Sequence, residues 1–158
     1  MPVLGKSLAP PEVVLVSEVR LLERVDRVMS KPPITVHKSA SVQEAARLMF
    51  NHRIGSVLVV DDEGKLVGIV TERDLVYLVA TGKVDLARDY PVWQIMTENP
   101  ITASPEESVL EALVKMSEAR IRHLPVVDEA GKPVGVISYR DIMSVISKLI
   151  SAIGRRKG

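Results

Sequence analysis

Cysteine is absent from all 158 residues, which excludes disulfide bonds and thiol chemistry. Neither sign of charge is in excess. With 21 Lys and Arg against 20 Asp and Glu the formal net charge is +1, so no global field argues for nucleic acid or a membrane surface. The basic end Arg155-Arg156-Lys157 is the exception. It reads as a solvated terminus; a nucleic-acid role would show as salt-dependent binding lost on deleting residues 155–158. Long apolar runs are missing too: Val13-Val14-Leu15-Val16 is bounded by Glu12 and Glu18, so neither a signal peptide nor a spanning helix is expected, and the cytoplasm is the simplest location. Asn and Gln are scarce, with Gln43, Asn51, Gln94 and Asn99 the full set, a trait of heat-adapted proteins.

What the chain does have is a second copy of itself. Laid on itself without a gap so that Val28 meets Ile95, it matches through to Leu75 on Ile142. Met29 falls on Met96, Pro33-Ile34-Thr35 on Pro100-Ile101-Thr102, and Ser41-Val42 on Ser108-Val109. Val59-Val60-Asp61, Gly64-Lys65, Gly68 and Arg73-Asp74 then meet Val126-Val127-Asp128, Gly131-Lys132, Gly135 and Arg140-Asp141. Two copies predict two equivalent half-units about a pseudo-twofold axis with a cleft between them. Each half, at about 60 residues, is marginal alone, so the halves are expected to pack into one body.

One copy yields the order of elements. Ile34-Thr35-Val36 reads as a short strand, and Ser41 to Glu44 has capping-box spacing, repeated at Ser108 to Glu111. The helices that follow carry Val42, Ala45, Ala46, Met49 and Val109, Ala112, Leu113, Met116 on one face, which predicts packing on a sheet. Residues 56–60 and 65–70, joined by Asp61-Asp62-Glu63-Gly64, read as a hairpin, as do 123–127 and 132–137 around Asp128 to Gly131. The strand after each turn runs into a helix, Glu72 to Ala80 and Tyr139 to about Ile153. The fold class is therefore α+β, strand, helix, strand, strand, helix, twice. We divide the chain into an N-terminal extension (1–24), repeat 1 (25–81), a linker (82–91), repeat 2 (92–150) and a basic tail (151–158). Leu21, Leu22, Val25 and Val28 suggest a helical lead-in to repeat 1, residues 91–96 a short one to repeat 2, and Met1 to Pro11 look irregular or disordered. Met29, Met49, Met96 and Met116 read as core, and Trp93 and Ile95 as packing the second lead-in.

Two features point to a site. The first is Gly68-Ile69-Val70-Thr71-Glu72-Arg73-Asp74 with its copy Gly135-Val136-Ile137-Ser138-Tyr139-Arg140-Asp141. A strand glycine marks close approach of a backbone or ligand, and Thr71 and Ser138 stand where strand becomes helix, a place that attracts anions. A carboxylate three residues on can accept from the vicinal hydroxyls of a ribose, yet Thr-x-x-Asp and Ser-x-x-Asp also suit plain helix caps, and spacing alone leaves both roles open. The second is an asymmetry. Repeat 1 has Gly55-Ser56 where repeat 2 has Arg122-His123, two basic side chains that would suit phosphate oxygens or simply a solvated strand end. His37 and His52 read as exposed, and no metal-ligand spacing is present.

Met-Ser-Lys-Pro-Pro-Ile-Thr-Val at 29–36 and Gly-Ile-Val-Thr-Glu-Arg-Asp at 68–74, in tandem, resemble a pair of CBS domains, the regulatory Bateman module, over roughly residues 25–150. The resemblance implies two β-α-β-β-α units packed sheet to sheet around the pseudo-twofold, with two clefts for adenosine-containing ligands: AMP above all, with ADP, ATP or S-adenosylmethionine as alternatives. By that analogy one cleft joins Asp141, Ser138, Gly135, Arg140, Arg122 and His123 to Ile34, Thr35 and Ile54. The other joins Asp74, Thr71, Gly68 and Arg73 to Ile101, Thr102 and Ile121. The matching Asp would hold the ribose and the matching hydroxyl assist the sugar or phosphate. Wide apolar faces on 74–80 and 142–153 call for a homodimer, which CBS pairs commonly form. A stand-alone nucleotide sensor acting on an unknown partner protein is thus the leading expectation, with no cofactor or metal. An enzyme is disfavoured because no Ser-His-Asp spacing, Gly-rich phosphate loop or metal cluster supplies a nucleophile or base. A dimerisation or nucleic-acid-binding unit without nucleotide is the third class.

Overall fold

The computed structural model describes residues 23–83, 85 and 89–157; the expected lead-in residues Leu21 and Leu22, the stretch Met1 to Pro11 and the side chains of Arg156 and Lys157 lie outside the description. Repeat 1 comprises β1 (Thr35–His37), α1 (Val42–His52), β2 (Ser56–Val60), β3 (Leu66–Thr71) and α2 (Glu72–Ala80). After β4 (Thr97–Glu98), repeat 2 continues with α3 (Val109–Ala119), β5 (His123–Val127), β6 (Pro133–Ser138) and α4 (Tyr139–Lys157). Short 3-10 turns, Val25–Arg27 and Val92–Gln94, stand where the lead-in helices were expected. The last helix runs one turn beyond the expected Ile153.

Local chemistry explains the elements. Ser41 Oγ accepts from Glu44 N and Ser108 Oγ from Glu111 N, each at 3.1 Å, so both helices start where a serine satisfies a free N–H. The reciprocal bond forms only in repeat 2, where Ser108 N donates to Glu111 Oε2 at 3.1 Å. In each hairpin an aspartate closes the turn: Asp61 Oδ1 accepts from Glu63 N and Lys65 N, and Asp128 Oδ1 from Ala130 N and Lys132 N. Gly64 and Gly131 take φ +81°, and the register shifts at Val59/Val60 and Val126/Val127, the arrangement of a turn ending in a glycine bulge. The expected first strand of repeat 2 shrinks to the single bridge Ala103↔Val126. In repeat 1 Lys38 N donates to Val60 O at 3.0 Å; the equivalent residue is Pro105, which has no N–H to give.

Strand alternation separates two faces. Val57, Val59 and Val70 join Val36, Val42, Ala45 and Met49 in a core under α1 and α2. Leu124, Val126 and Ile137 do the same with Val109, Ala112 and Met116 under α3 and α4. Leu58 and Ile69 point the other way and are nonetheless buried, as is Pro125, because the two sheets pack on each other.

The repeats exchange their lead-ins. The sheet order β1-β2-β3-β4 places Thr97 against Ile69 of repeat 1, and Ser30 bridges Val136 of repeat 2. Val25 lies in the repeat 2 core and Val92 in the repeat 1 core. Gly68 and Gly135 owe their identity to this crossing, since a Cβ on Gly68 would fall 2.3 Å from Met96 Sδ and one on Gly135 2.4 Å from Met29 Sδ. The close approach inferred from these strand glycines is that of a methionine from the opposite lead-in. Met49 and Met116 are buried as expected, whereas Trp93 is 49% exposed and packs the turn less than Ile95 does.

Candidate functional site

Each repeat ends its hairpin at the inter-repeat junction, with Ser56 paired to Thr71 and His123 to Ser138. At the first turn Asp74 Oδ2 accepts from Thr71 N at 2.8 Å and from Thr71 Oγ1 at 3.3 Å. At the second, Asp141 Oδ2 accepts from Ser138 N at 2.8 Å and from Ser138 Oγ at 3.0 Å, and Asp141 N donates weakly to Ser138 Oγ at 3.4 Å. Both carboxylates therefore cap their own helices through one oxygen. The other oxygen remains an acceptor at a helix N-terminus, so the capping and ligand-binding readings are geometrically compatible.

Asp74 and Asp141 differ in that second oxygen. Ser30 Oγ donates to Asp141 Oδ1 at 3.5 Å, a long bond, while Asp74 Oδ1 has no partner among the described residues. Burial pushes the Asp74 carboxyl above the usual aspartate range, opposed by the Thr71 N–H and hydroxyl. The crossed lead-ins also set what lies near each carboxylate. From Ser30 beside Asp141 the chain reaches Ile34 and Thr35 within a few residues, and from Thr97, paired with Ile69 of β3, it reaches Ile101 and Thr102. Ile34 O accepts from Leu58 N at 3.1 Å and Ile54 packs on the repeat 1 core; Thr102 O accepts from Lys115 Nζ at 2.9 Å and Ile121 packs on the repeat 2 core. Ile101 is 49% exposed.

The basic pair divides. Arg122 is exposed at the start of β5, its carbonyl accepting from Tyr139 N at 3.1 Å, and Arg73 and Arg140 are exposed in the first turns of α2 and α4. His123 instead crosses toward repeat 1: a Cβ on Gly55 would meet its Nε2 at 2.7 Å and Glu72 Oε1 at 3.0 Å. Burial lowers the His123 pKa, with Glu72 and Asp141 opposing and Arg122 and Arg140 assisting. The sequence reading did not single out Glu72 or Ser30. The available signal was Gly55 standing where repeat 2 has Arg122, a notch in one repeat opposite a large side chain in the other.

His37, read from sequence as an exposed histidine, bridges Ser39 Oγ at 2.7 Å and Asp62 Oδ1 at 2.6 Å. Folding of the hairpin brings Asp62 to β1, a contact that spacing did not foreshadow. The three lie on an exposed edge. Among the described residues no group of His, Asp and Glu could hold a metal ion, and no helix is long and apolar enough to cross a membrane.

A family model of the CBS domain matches residues 25–81 and 92–148. The chain belongs to the CBS domain family. Its architecture superposes on a CBS domain pair solved in complex with methylthioadenosine and S-adenosyl-L-methionine, with a TM-score of 0.74 and 37% identity over 80% of this chain and 98% of that one. A CBS domain protein from Pyrobaculum aerophilum complexed with AMP is 29% identical with a TM-score of 0.71, covering 82% and 99%. Among curated sequences, L-aspartate semialdehyde sulfurtransferase of Methanocaldococcus jannaschii is 40% identical over 118 residues, 75% of this chain but 22% of that protein. Inosine-5'-monophosphate dehydrogenase of Nitrosopumilus maritimus is 36% identical over 80% of this chain and 25% of its own length. The chain thus spans about a quarter of these enzymes, and their shared part is the CBS pair, a regulatory module.

Proposed function

We propose that this CBS pair senses an adenine nucleotide, AMP foremost with ADP and ATP as close relatives, bound between the repeats, and that ligand binding biases a partner protein in the cytoplasm. The observation that carries the reading is the duplicated carboxylate: each Oδ2 is spent on its own strand-to-helix turn, Asp74 Oδ1 is left to accept from a diol, and Asp141 Oδ1 holds only the long bond from Ser30 Oγ. The AMP complex of the Pyrobaculum aerophilum relative supports this ligand class. A ligand moves a partner only through its differential affinity for two arrangements, and a pair of repeats with crossed lead-ins can be biased in this way. Because each cleft draws on both repeats, a bound ligand reports on how they sit.

A second reading is an S-adenosylmethionine-type sensor. It is favoured by the 37% identical CBS pair solved with methylthioadenosine and S-adenosyl-L-methionine. Both readings place a ribose against Asp74 or Asp141; they differ in whether a phosphate or a thioether-linked group follows it. Calorimetric titration with AMP, ADP, ATP and S-adenosylmethionine separates them. A ribonucleotide is expected to raise the melting temperature more than its 2′,3′-dideoxy analogue. Equal shifts would remove the ribose role from both carboxylates.

We further propose that two copies assemble through the helical faces. Val76, Val79, Met143 and Ile150 are 64%, 65%, 60% and 65% exposed, a run of large apolar side chains that water covers poorly. Sedimentation should report about twice the monomer mass.

A further inference from the structure

Two prolines thin the sheet beside one cleft. In repeat 1 the bonds that fix the first strand to β2 include Leu58 N to Ile34 O at 3.1 Å and Lys38 N to Val60 O at 3.0 Å. The matching donors in repeat 2 are Pro125 and Pro105, which have no N–H to give. The segment from Ile101 to Ser104 keeps Ala103 N on Pro125 O at 2.9 Å and Val127 N on Ala103 O at 3.0 Å as its backbone ties to β5. A segment held by so few ladder bonds opens easily, and this one carries Ile101 and Thr102, which the nucleotide reading assigns to the Asp74 cleft.

A side chain takes over where the backbone cannot. Lys115, on α3, donates from Nζ to Thr102 O at 2.9 Å and pairs with Glu107 Oε1 at 2.5 Å. The two side chains are 34% and 23% exposed, so salt screens the pair less than it would a fully solvated one. Glu107 is fixed from the far side as well, because its carbonyl accepts from Val25 N of the crossing lead-in at 2.7 Å. Glu107 Oε2 is buried with no hydrogen-bond partner among the described residues, which leaves the lysine to compensate that charge. Repeat 1 has Leu48 and Ala40 at these positions, both packed against its core. An apolar pair therefore suffices for folding in one repeat. The ion pair, with its desolvation cost, stands in the repeat whose strand has lost its ladder.

We propose that Lys115 is a positioning residue for the Asp74 cleft, holding the Thr102 carbonyl and with it the Ile101-Thr102 edge in place for the ligand. The proposal rests on the nucleotide reading above and adds a residue on the helix behind the cleft that sets the affinity of one cleft and not of the other. The Asp141 cleft has no need of such a tether, since β2 holds Ile34 and Thr35 through the backbone.

The test replaces the pair by what repeat 1 carries, Lys115→Leu with Glu107→Ala, so that no buried charge is orphaned. In the ligand-free chain, amide exchange at Ala103 and Val127 should quicken at least about tenfold, while exchange at their counterparts Val36 and Val60 stays as it was. In an AMP titration, the binding event that Asp74→Ala removes should weaken at least about tenfold and the one that Asp141→Ala removes should not change. Adding Pro105→Ala, which returns the N–H that Lys38 uses in repeat 1, should recover both exchange protection and affinity. Unchanged exchange, equal weakening of both AMP events, or failure of the rescue would overturn the role of Lys115 and leave the nucleotide reading standing. A parent chain that binds AMP in neither cleft would overturn the nucleotide reading and the positioning role together.

Discussion

Asp74 and Asp141 occupy the same place in the two repeats and do not have the same surroundings. The turn that carries Asp141 pairs with Arg122-His123 at the start of β5, and Asp141 already holds a hydroxyl; the turn that carries Asp74 pairs with Gly55-Ser56 instead of a basic pair. Charge-assisted hydrogen bonds are worth about 1.5–3 kcal/mol each, so the cleft with Arg122 should bind the more anionic ligand more tightly. Asp141→Ala or Arg122→Ala is expected to weaken the tighter AMP event at least about tenfold, and Asp74→Ala to leave it nearly intact, as two-site calorimetry would read. The reverse pattern would assign the tight cleft to Asp74. His123 carries a second residue-scale consequence. Its pKa is lowered in the folded state, so the unfolded chain binds the extra proton first; this contribution to stability is present above about pH 6.5 and is lost as pH falls. The melting temperature should drop between about pH 7 and about pH 5.5, with a shallower drop in His123→Gln. Asp74 acts in the opposite sense and in a lower window, its raised pKa making the contribution fade as pH climbs through the carboxylate range.

At the scale of elements, local chemistry carried most of the reading. The serines at 41 and 108, the Asp-x-x-Gly turns and the apolar spacing of Val42 to Met49 are short-range signals, and helices, hairpins and caps followed from them. The Thr71-Asp74 and Ser138-Asp141 pairs were legible for the same reason, since the bonded atoms lie three residues apart. What stayed hidden required pairing at a distance: Ser30 with Val136, Asp62 with His37, His123 with Gly55. No local pattern announces which repeat a lead-in will join. One element-level oddity is testable. Arg120 ends α3 at φ +55°, where a β-carbon crowds the carbonyl and glycine does not. Arg120→Gly should therefore stabilise the protein by about 1 kcal/mol in urea denaturation.

At the scale of the whole molecule, the crossed lead-ins tie the two cores together. Val25, fully buried, belongs to the core of α3 and α4 although it lies at the start of repeat 1. Val25→Ala should cost on the order of 1–3 kcal/mol and lower one cooperative transition monitored at both repeats. Separate transitions for the two halves would show that the tie is weak.

The unit that was duplicated in the sequence is consequently not the unit that folds. A fragment cut to the first family match, 25–81, would carry Val25 and Met29, which serve the other half, and would lack Val92 and Met96, which serve its own. Such a fragment could complete itself by lending its leading segment to a second fragment and borrowing that one's in return, the exchange the intact chain makes between its own halves. A lone ancestral copy would have faced the same requirement. On this view the link between the repeats joins end to end two partners that complete each other's cores.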